Sequence, residues 1–182
     1  MDTARLHLRK ITASDLADFH EIWSSPDATR WSSCGPKKTL AESQSWLDGI
    51  LPEKNTDGDN YAVFVREDEH KKMIGIVGVF SFDPVAELGY TFHPASWGKG
   101  YATEALEAFM RVYWDSRPNV DVVEAKTDVE NKGSIRVLTK CGFENVALLK
   151  DNVTLPALGL RSSYLFRIDR PSDRVKVVQQ LS

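Results

Sequence analysis

Trp97-Gly98-Lys99-Gly100-Tyr101-Ala102-Thr103-Glu104-Ala105-Leu106 (WGKGYATEAL, residues 97–106) decides how the chain is read. Two glycines flank a lysine, and a helical pattern begins at once behind them. Tyr101, Ala102, Ala105, Leu106, Phe109, Val112 and Tyr113 fall on one face, with Glu104, Glu107 and Arg111 opposite. The first turn of a helix carries amides without partners, and the macrodipole places about half a positive charge there. Glycines at that point let a phosphate reach the backbone, and Lys99 adds a mobile charge. The plainer alternative is a loop that needs glycine only for positive φ. Two phosphate motifs are excluded. The dinucleotide fingerprint fails at Thr103, where it wants a third small residue, and the P-loop pattern is absent.

Upstream, residues 5–11 alternate as a strand, and Thr12 with Asp15 makes a capping-box start. The helix that follows carries Leu16, Phe19, His20 and Trp23 and ends at Ser25-Pro26-Asp27. A second helix is predicted over roughly 38–50, with Leu40, Trp46, Leu47 and Ile50, and 52–60 is loop. YAVFVRE and MIGIVGVF form a hairpin, Asp83-Pro84 turns the chain, and AELGYTF adds a third strand closed by His93-Pro94. Downstream, VDVVEAKTDV is a β-branched strand and NKGSIRVLTKCGF a short helix stopped by Gly142. ENVALL and RSSYLFRI are the last strands. After Pro171 the tail is either a loose helix or disordered. The order β-α-α-β-β-β-α-β-α-β-β predicts an α/β mixed sheet with helices on its faces, one domain over residues 1–170 and a tail over 171–182.

The totals suit one core of 182 residues, and a net charge of -3 gives no global pull toward nucleic acid or an anionic membrane. No apolar run approaches a membrane span, and the first ten residues lack the apolar stretch of a signal peptide. Two cysteines, Cys34 and Cys141, make no disulfide framework, so a cytoplasmic protein with free thiols is expected. The four histidines His7, His20, His70 and His93 show no ligand spacing, so no metal is expected.

The glycine segment, following ELGYTFHP, resembles the acyl-CoA signature R/Q-x-x-G-x-G/A of the GNAT superfamily of N-acetyltransferases. Gly100 and Ala102 match its small positions, while Trp97 stands where Arg or Gln is usual, a departure typical of the RimJ/RimL-like branch of ribosomal-protein-alanine acetyltransferases. Asn131, Ser134, Val137, Lys140, Gly142 and Phe143 are similar to that branch's N-x-x-S-x-x-V-x-x-K-x-G-F block, and the resemblance covers roughly residues 4–168. It implies a central, largely antiparallel sheet of six to seven strands, splayed between the fourth and fifth and flanked by about four helices. It also implies acetyl-CoA as co-substrate, a primary amine as acceptor, and a monomer or homodimer. Thr91, Phe92 and His93 would pair with the pantetheine arm. Trp97, Gly98, Lys99, Gly100, Tyr101, Ala102 and Thr103 would surround the pyrophosphate, with Asn131, Ser134 and Lys140 as further cofactor contacts.

Acetyl transfer to an amine needs a base for the nucleophile and a donor for the leaving thiolate. Glu87 is the first candidate base, against the plainer reading of a strand carboxylate paired with a neighbour; Asp128 and Glu130 are weaker candidates. Many family members carry a Tyr as acid seven residues after the Asn of the second block. Here that position is Leu138, which leaves Ser134 as donor or as a hydroxyl spent on its own helix. Trp31, Glu87 and Tyr90 are the expected substrate contacts. LPALGLRSS departs from the branch's usual polar segment, which puts a ribosomal acceptor in doubt. The rival from another class is an acyl-CoA-binding regulatory module without catalysis.

Overall fold

Alternation at the N-terminus becomes β1 (Leu6–Lys10), with Leu6 and Leu8 fully buried. The computed structural model describes residues 1–56, 58–82 and 85–172. The expected turn at Asp83-Pro84 and the tail beyond residue 172 lie outside the described residues. Thr12 donates its amide to Asp15 Oδ2 at 2.8 Å, as the capping pattern requires, and α1 (Leu16–Ser24) follows. A four-residue α2 (Pro26–Thr29) then stands where the sequence suggested only a helix end. Ser25 Oγ accepts from the Ala28 amide and Pro26 takes the first helical position, so the same residues stop one helix and start another. The remaining elements are α3 (Leu40–Ile50), β2 (Asp59–Val65), β3 (Met73–Ser81), β4 (Ala86–Phe92), α4 (Tyr101–Ser116), β5 (Val122–Asp128), α5 (Lys132–Lys140), β6 (Glu144–Leu155) and β7 (Gly159–Asp169). The described residues thus hold five α-helices rather than about four. The last hairpin is longer than its alternation suggested. Register shifts between Asn145 and Ala147 and between Leu149 and Val153 break the period of two, which hid the second half of β6.

The sheet has seven strands in the order β1-β2-β3-β4-β5-β7-β6. Every neighbouring pair is antiparallel except β4–β5, which is parallel over Ala86↔Val123 and Glu87↔Glu124. Strand alternation feeds two cores. Leu6, Leu8, Val77, Leu88, Phe92 and Val123 pack under α4 and α5 with Leu106, Phe109 and Leu138; Phe64, Met73 and Ile76 pack under α1 and α3 with Phe19, Ile22 and Leu47. Fully burying a side chain such as Leu106 or Phe109 contributes about 1.5–3 kcal/mol, which fixes α4 against the sheet. Trp23 and Trp114 are core residues, and Trp46 is half-buried beside Trp23.

Arg170 anchors the far end of α4. Its guanidinium, 4% exposed, donates to the carbonyls of Trp114 at 2.9 Å and Val120 at 2.7 Å, and also to that of Arg117. These carbonyls lie at and beyond a helix C-terminus, where the dipole favours a cation. Arg170→Met is expected to lower unfolding free energy by about 3 kcal/mol, with Arg170→Lys recovering only part because ammonium cannot fork. Urea unfolding at unchanged m-value is the measurement, and a loss under about 1 kcal/mol would contradict this role.

Candidate functional site

The two strands that pair only at Ala86–Glu87 and Val123–Glu124 then part. β4 continues to Phe92 beside β3, and β5 continues to Asp128 beside β7. The cleft between them exposes two strand edges, each able to accept an extended chain. Trp97, half exposed, closes the end of the β4 edge by donating its indole N–H to the Phe92 carbonyl at 2.9 Å. The His93 amide donates to Ile74 O, its Nδ1 accepts from the Ala95 amide, and its Nε2 lies 3.3 Å from Glu21.

The glycine turn sits at the mouth of this cleft. Gly98 and Gly100 both have left-handed backbones, with φ of 74° and 78°, and no side chain caps the start of α4. A Cβ at Gly98 would meet nothing within 4 Å, and one at Gly100 would meet only Arg5 Nη2, at 3.4 Å. Of the two readings that the sequence left open, the positive φ is met at both glycines, and the space beside them is compatible with the other. The glycines leave open space beside the first amides of α4, which no side chain caps, an arrangement that can accept an anion. Lys99 is exposed at its rim. Arg5, which sequence reasoning passed over, donates to the Lys99 carbonyl at 2.9 Å and lies 4.9 Å from the Tyr101 ring centroid. Nothing local could have pointed to a contact between residues 94 positions apart.

On the α5 side, Asn131 Oδ1 accepts from the Ser134 amide at 3.1 Å, the expected N-cap. Ser134 Oγ lies 2.7 Å from the Tyr90 hydroxyl, which also reaches the Ser134 carbonyl at 3.2 Å. Burial pushes the Tyr90 phenol up, against a smaller opposing effect of the Ser134 hydrogen bond, so it stays protonated. The alternation of β4 sends Tyr90 to this face with Leu88 and Phe92. Leu138 is buried in the core, and the Cys141 thiol, pushed up to about 12 chiefly by burial, is unreactive packing. Lys140 stands in the last turn of α5, and Arg136 turns back on its own helix to Lys132 O.

The opposite face of β4 carries Glu87, whose Oε2 accepts from Lys126 Nζ at 3.0 Å. Asp128 is committed elsewhere. Arg161 forks onto both its oxygens at 2.8 and 3.0 Å, and that pairing holds its carboxyl below the usual range. Glu130, largely exposed, takes the same arginine. Phe80 adds an exposed ring to the Glu87 face; it rests where a Gly89 Cβ would lie 2.9 Å from its Cε1. The uniform apolar run of β3 gave no sign that this ring faces solvent. Trp31 is half-buried under Arg30 in the loop after α2, and that loop meets the β6–β7 turn where Gly35 abuts Pro156. Thus the glycine turn, Tyr90, Asn131 and Ser134 gather on one side of the cleft and Glu87 on the other. Among the described residues, no group of three or more His, Cys, Asp or Glu could hold a metal ion, and no helix is long and apolar enough to cross a membrane.

A family model described as an acetyltransferase (GNAT) domain matches residues 5–144. The uncharacterized N-acetyltransferase p20 of Bacillus licheniformis is 29% identical over 154 residues, covering 82% of this chain and 84% of that protein. Among solved structures, a ribosomal-protein-S5-alanine acetyltransferase from Vibrio fischeri superposes with a TM-score of 0.78 at 18% identity, over 94% of this chain and 97% of that one. A spermidine N-acetyltransferase from Vibrio cholerae, in complex with CoA and spermine, superposes with a TM-score of 0.76 at 19% identity, over 92% and 96%. At such identities the likeness to these two structures is one of fold.

Proposed function

The chain belongs to the GNAT acetyltransferase family, and from that premise we propose that it moves an acetyl group from acetyl-CoA to a primary amine by direct attack in a ternary complex. The observation that carries this reading is the opening of the sheet after Glu87↔Glu124, with the uncapped glycine turn at its mouth. Acetyl-CoA supplies an activated thioester. Gly98, Gly100 and the amides of Tyr101, Ala102 and Thr103 bind its pyrophosphate, with Trp97, Lys99 and Lys140 beside it. The pantetheine arm runs along the β4 edge at Thr91–His93, pairing with the edge groups that remain where Trp97 holds the Phe92 carbonyl and His93 gives its amide to Ile74, and Asn131 steadies it.

The acceptor enters from the Glu87 face. Glu87, directly or through a water, takes the proton that the amine must lose. Trp31 and Phe80 border the apolar part of the acceptor. On the other face the Tyr90 and Ser134 hydroxyls share a hydrogen bond at 2.7 Å; with Tyr90 as its donor, the serine's own hydrogen is left for the departing sulfur. One neutral hydrogen bond is worth about 1 kcal/mol, so Tyr90→Phe is expected to lower kcat about five- to tenfold with the KM for acetyl-CoA unchanged. Ser134→Ala is expected to cost as much, and the double variant no more than either alone, because the two hydroxyls act as one unit. Steady-state rates for the three variants check this, and additive losses would contradict it.

The acceptor is either a peptide N-terminus or a small amine; the names of the two Vibrio enzymes carry a ribosomal-protein alanine and a polyamine. Release of free thiol from acetyl-CoA across a panel of polyamines, amino acids and peptides of varied first residue tests the function. Acceptor-dependent release is the expected result. CoA binding with no release anywhere in the panel would instead leave a regulatory acyl-CoA-binding module, the reading that Leu138 in the usual tyrosine position favours.

A further inference from the structure

We infer that Arg5 is the positioning residue of the pyrophosphate turn, holding the turn in its anion-binding shape and cancelling a negative charge beside it; this rests on the acetyl-CoA reading above. Arg5 stands just before β1 and is half exposed. Its Nη1 donates to the Lys99 carbonyl at 2.9 Å, in the middle of the turn. Its Nε and Nη2 lie 2.7 and 2.6 Å from Glu104 Oε2, and its backbone amide donates to Glu104 Oε1 at 2.9 Å. The guanidinium also rests against the ring of Tyr101, the first residue of α4. One side chain thus grips the turn, the helix start and the first helical turn.

Two physical consequences follow. A turn with left-handed glycines at 98 and 100 is conformationally loose, and fixing it costs entropy that a ligand would otherwise meet. The trans peptide sets the Lys99 carbonyl and the Gly100 amide pointing in opposite directions. With the carbonyl pinned to Arg5, the amide is turned away from Arg5, free for a ligand. The second consequence is electrostatic. Glu104 lies in the first turn of α4, where its charge would oppose a pyrophosphate. Burial disfavours that charge, yet the hydrogen bonds from Thr3 and Arg5 hold the carboxyl below its usual range, so it is ionised and needs a cation. Arg5 supplies it. A lysine could neutralise Glu104 but could not fork to Lys99 O as well.

The test compares acetyl-CoA with S-acetylpantetheine, a thioester that lacks the pyrophosphate. In Arg5→Met the Kd for CoA and the KM for acetyl-CoA are expected to rise about thirtyfold, with kcat within about threefold. Turnover of S-acetylpantetheine should stay within about twofold of the parent, because the turn has no phosphate to hold. Arg5→Lys should regain less than half of the loss on a logarithmic scale. Arg5→Met with Glu104→Gln should bind CoA more tightly than Arg5→Met alone, since the unpaired carboxylate is gone. Equal losses with both thioesters would make Arg5 a staple of the fold and overturn the inference, as would CoA affinity in Arg5→Met within threefold of the parent. Absence of CoA binding by the parent protein would overturn the function itself.

Discussion

Gly100→Val is expected to weaken CoA binding by more than about a hundredfold, the equivalent of two lost hydrogen bonds to a charged group. Gly100 caps α4 with φ of 78°, a conformation that a β-branched residue adopts only under strain. Its new Cβ would also stand 3.4 Å from Arg5 Nη2, so the branched methyls would press on the residue that grips the turn. Strain and occlusion are confounded in this variant, and Gly98→Asn separates them. Asparagine tolerates positive φ, and nothing lies within 4 Å of a Cβ at residue 98. Gly98→Asn should therefore fold with the stability of the parent and still bind CoA about tenfold more weakly, because its side chain enters the space assigned to phosphate. Calorimetric titration with CoA, beside thermal unfolding of each variant, is the measurement. Unchanged affinity in both folded variants would remove the cofactor from this turn.

Most of the element order was legible because long amphipathic or alternating runs carry their own period. The helix after Gly100 buries Ala105, Leu106, Phe109 and Tyr113, the face expected from their spacing, and Gly142 ends α5 with φ of 85°. The opening between β4 and β5 was not legible from pattern at all and came from the resemblance, since a two-pair parallel contact leaves no mark on either strand. The short helix Pro26–Thr29 was hidden because Ser25-Pro26 is as good a start as it is a stop. At the site, residues whose role depends on their own backbone were readable: the two glycines and the Asn131 cap. Residues defined by a partner were not. Arg5 on Lys99, Tyr90 on Ser134, Lys126 on Glu87 and Arg161 on Asp128 are contacts between segments far apart in the chain that no local spacing encodes.

Glu87→Gln is expected to lower kcat/KM at pH 7 by about 10²–10⁴-fold, the usual contribution of a general base. Glu87 is the carboxylate of the cleft that is held by a single lysine, whereas Asp128 is clamped through both oxygens by Arg161. Glutamine keeps the shape and can still accept from Lys126, so fold and CoA affinity should stay as they are. The amine acceptor is protonated near neutral pH, and a variant without the base must wait for the small neutral fraction. Raising the pH enlarges that fraction, so the gap between the two proteins should narrow as the acceptor's own pKa is approached. The measurement is kcat/KM against pH for both proteins, with Lys126→Gln alongside. If the purpose of Glu87 were only its ion pair across the cleft, Glu87→Gln and Lys126→Gln would show small and similar changes, since a part-exposed pair contributes under about 1 kcal/mol. A Glu87→Gln rate within threefold of the parent across the whole pH range would clear Glu87 of the role, and the base would then be sought in water, or at Asp128 or Glu130, which both pair with Arg161.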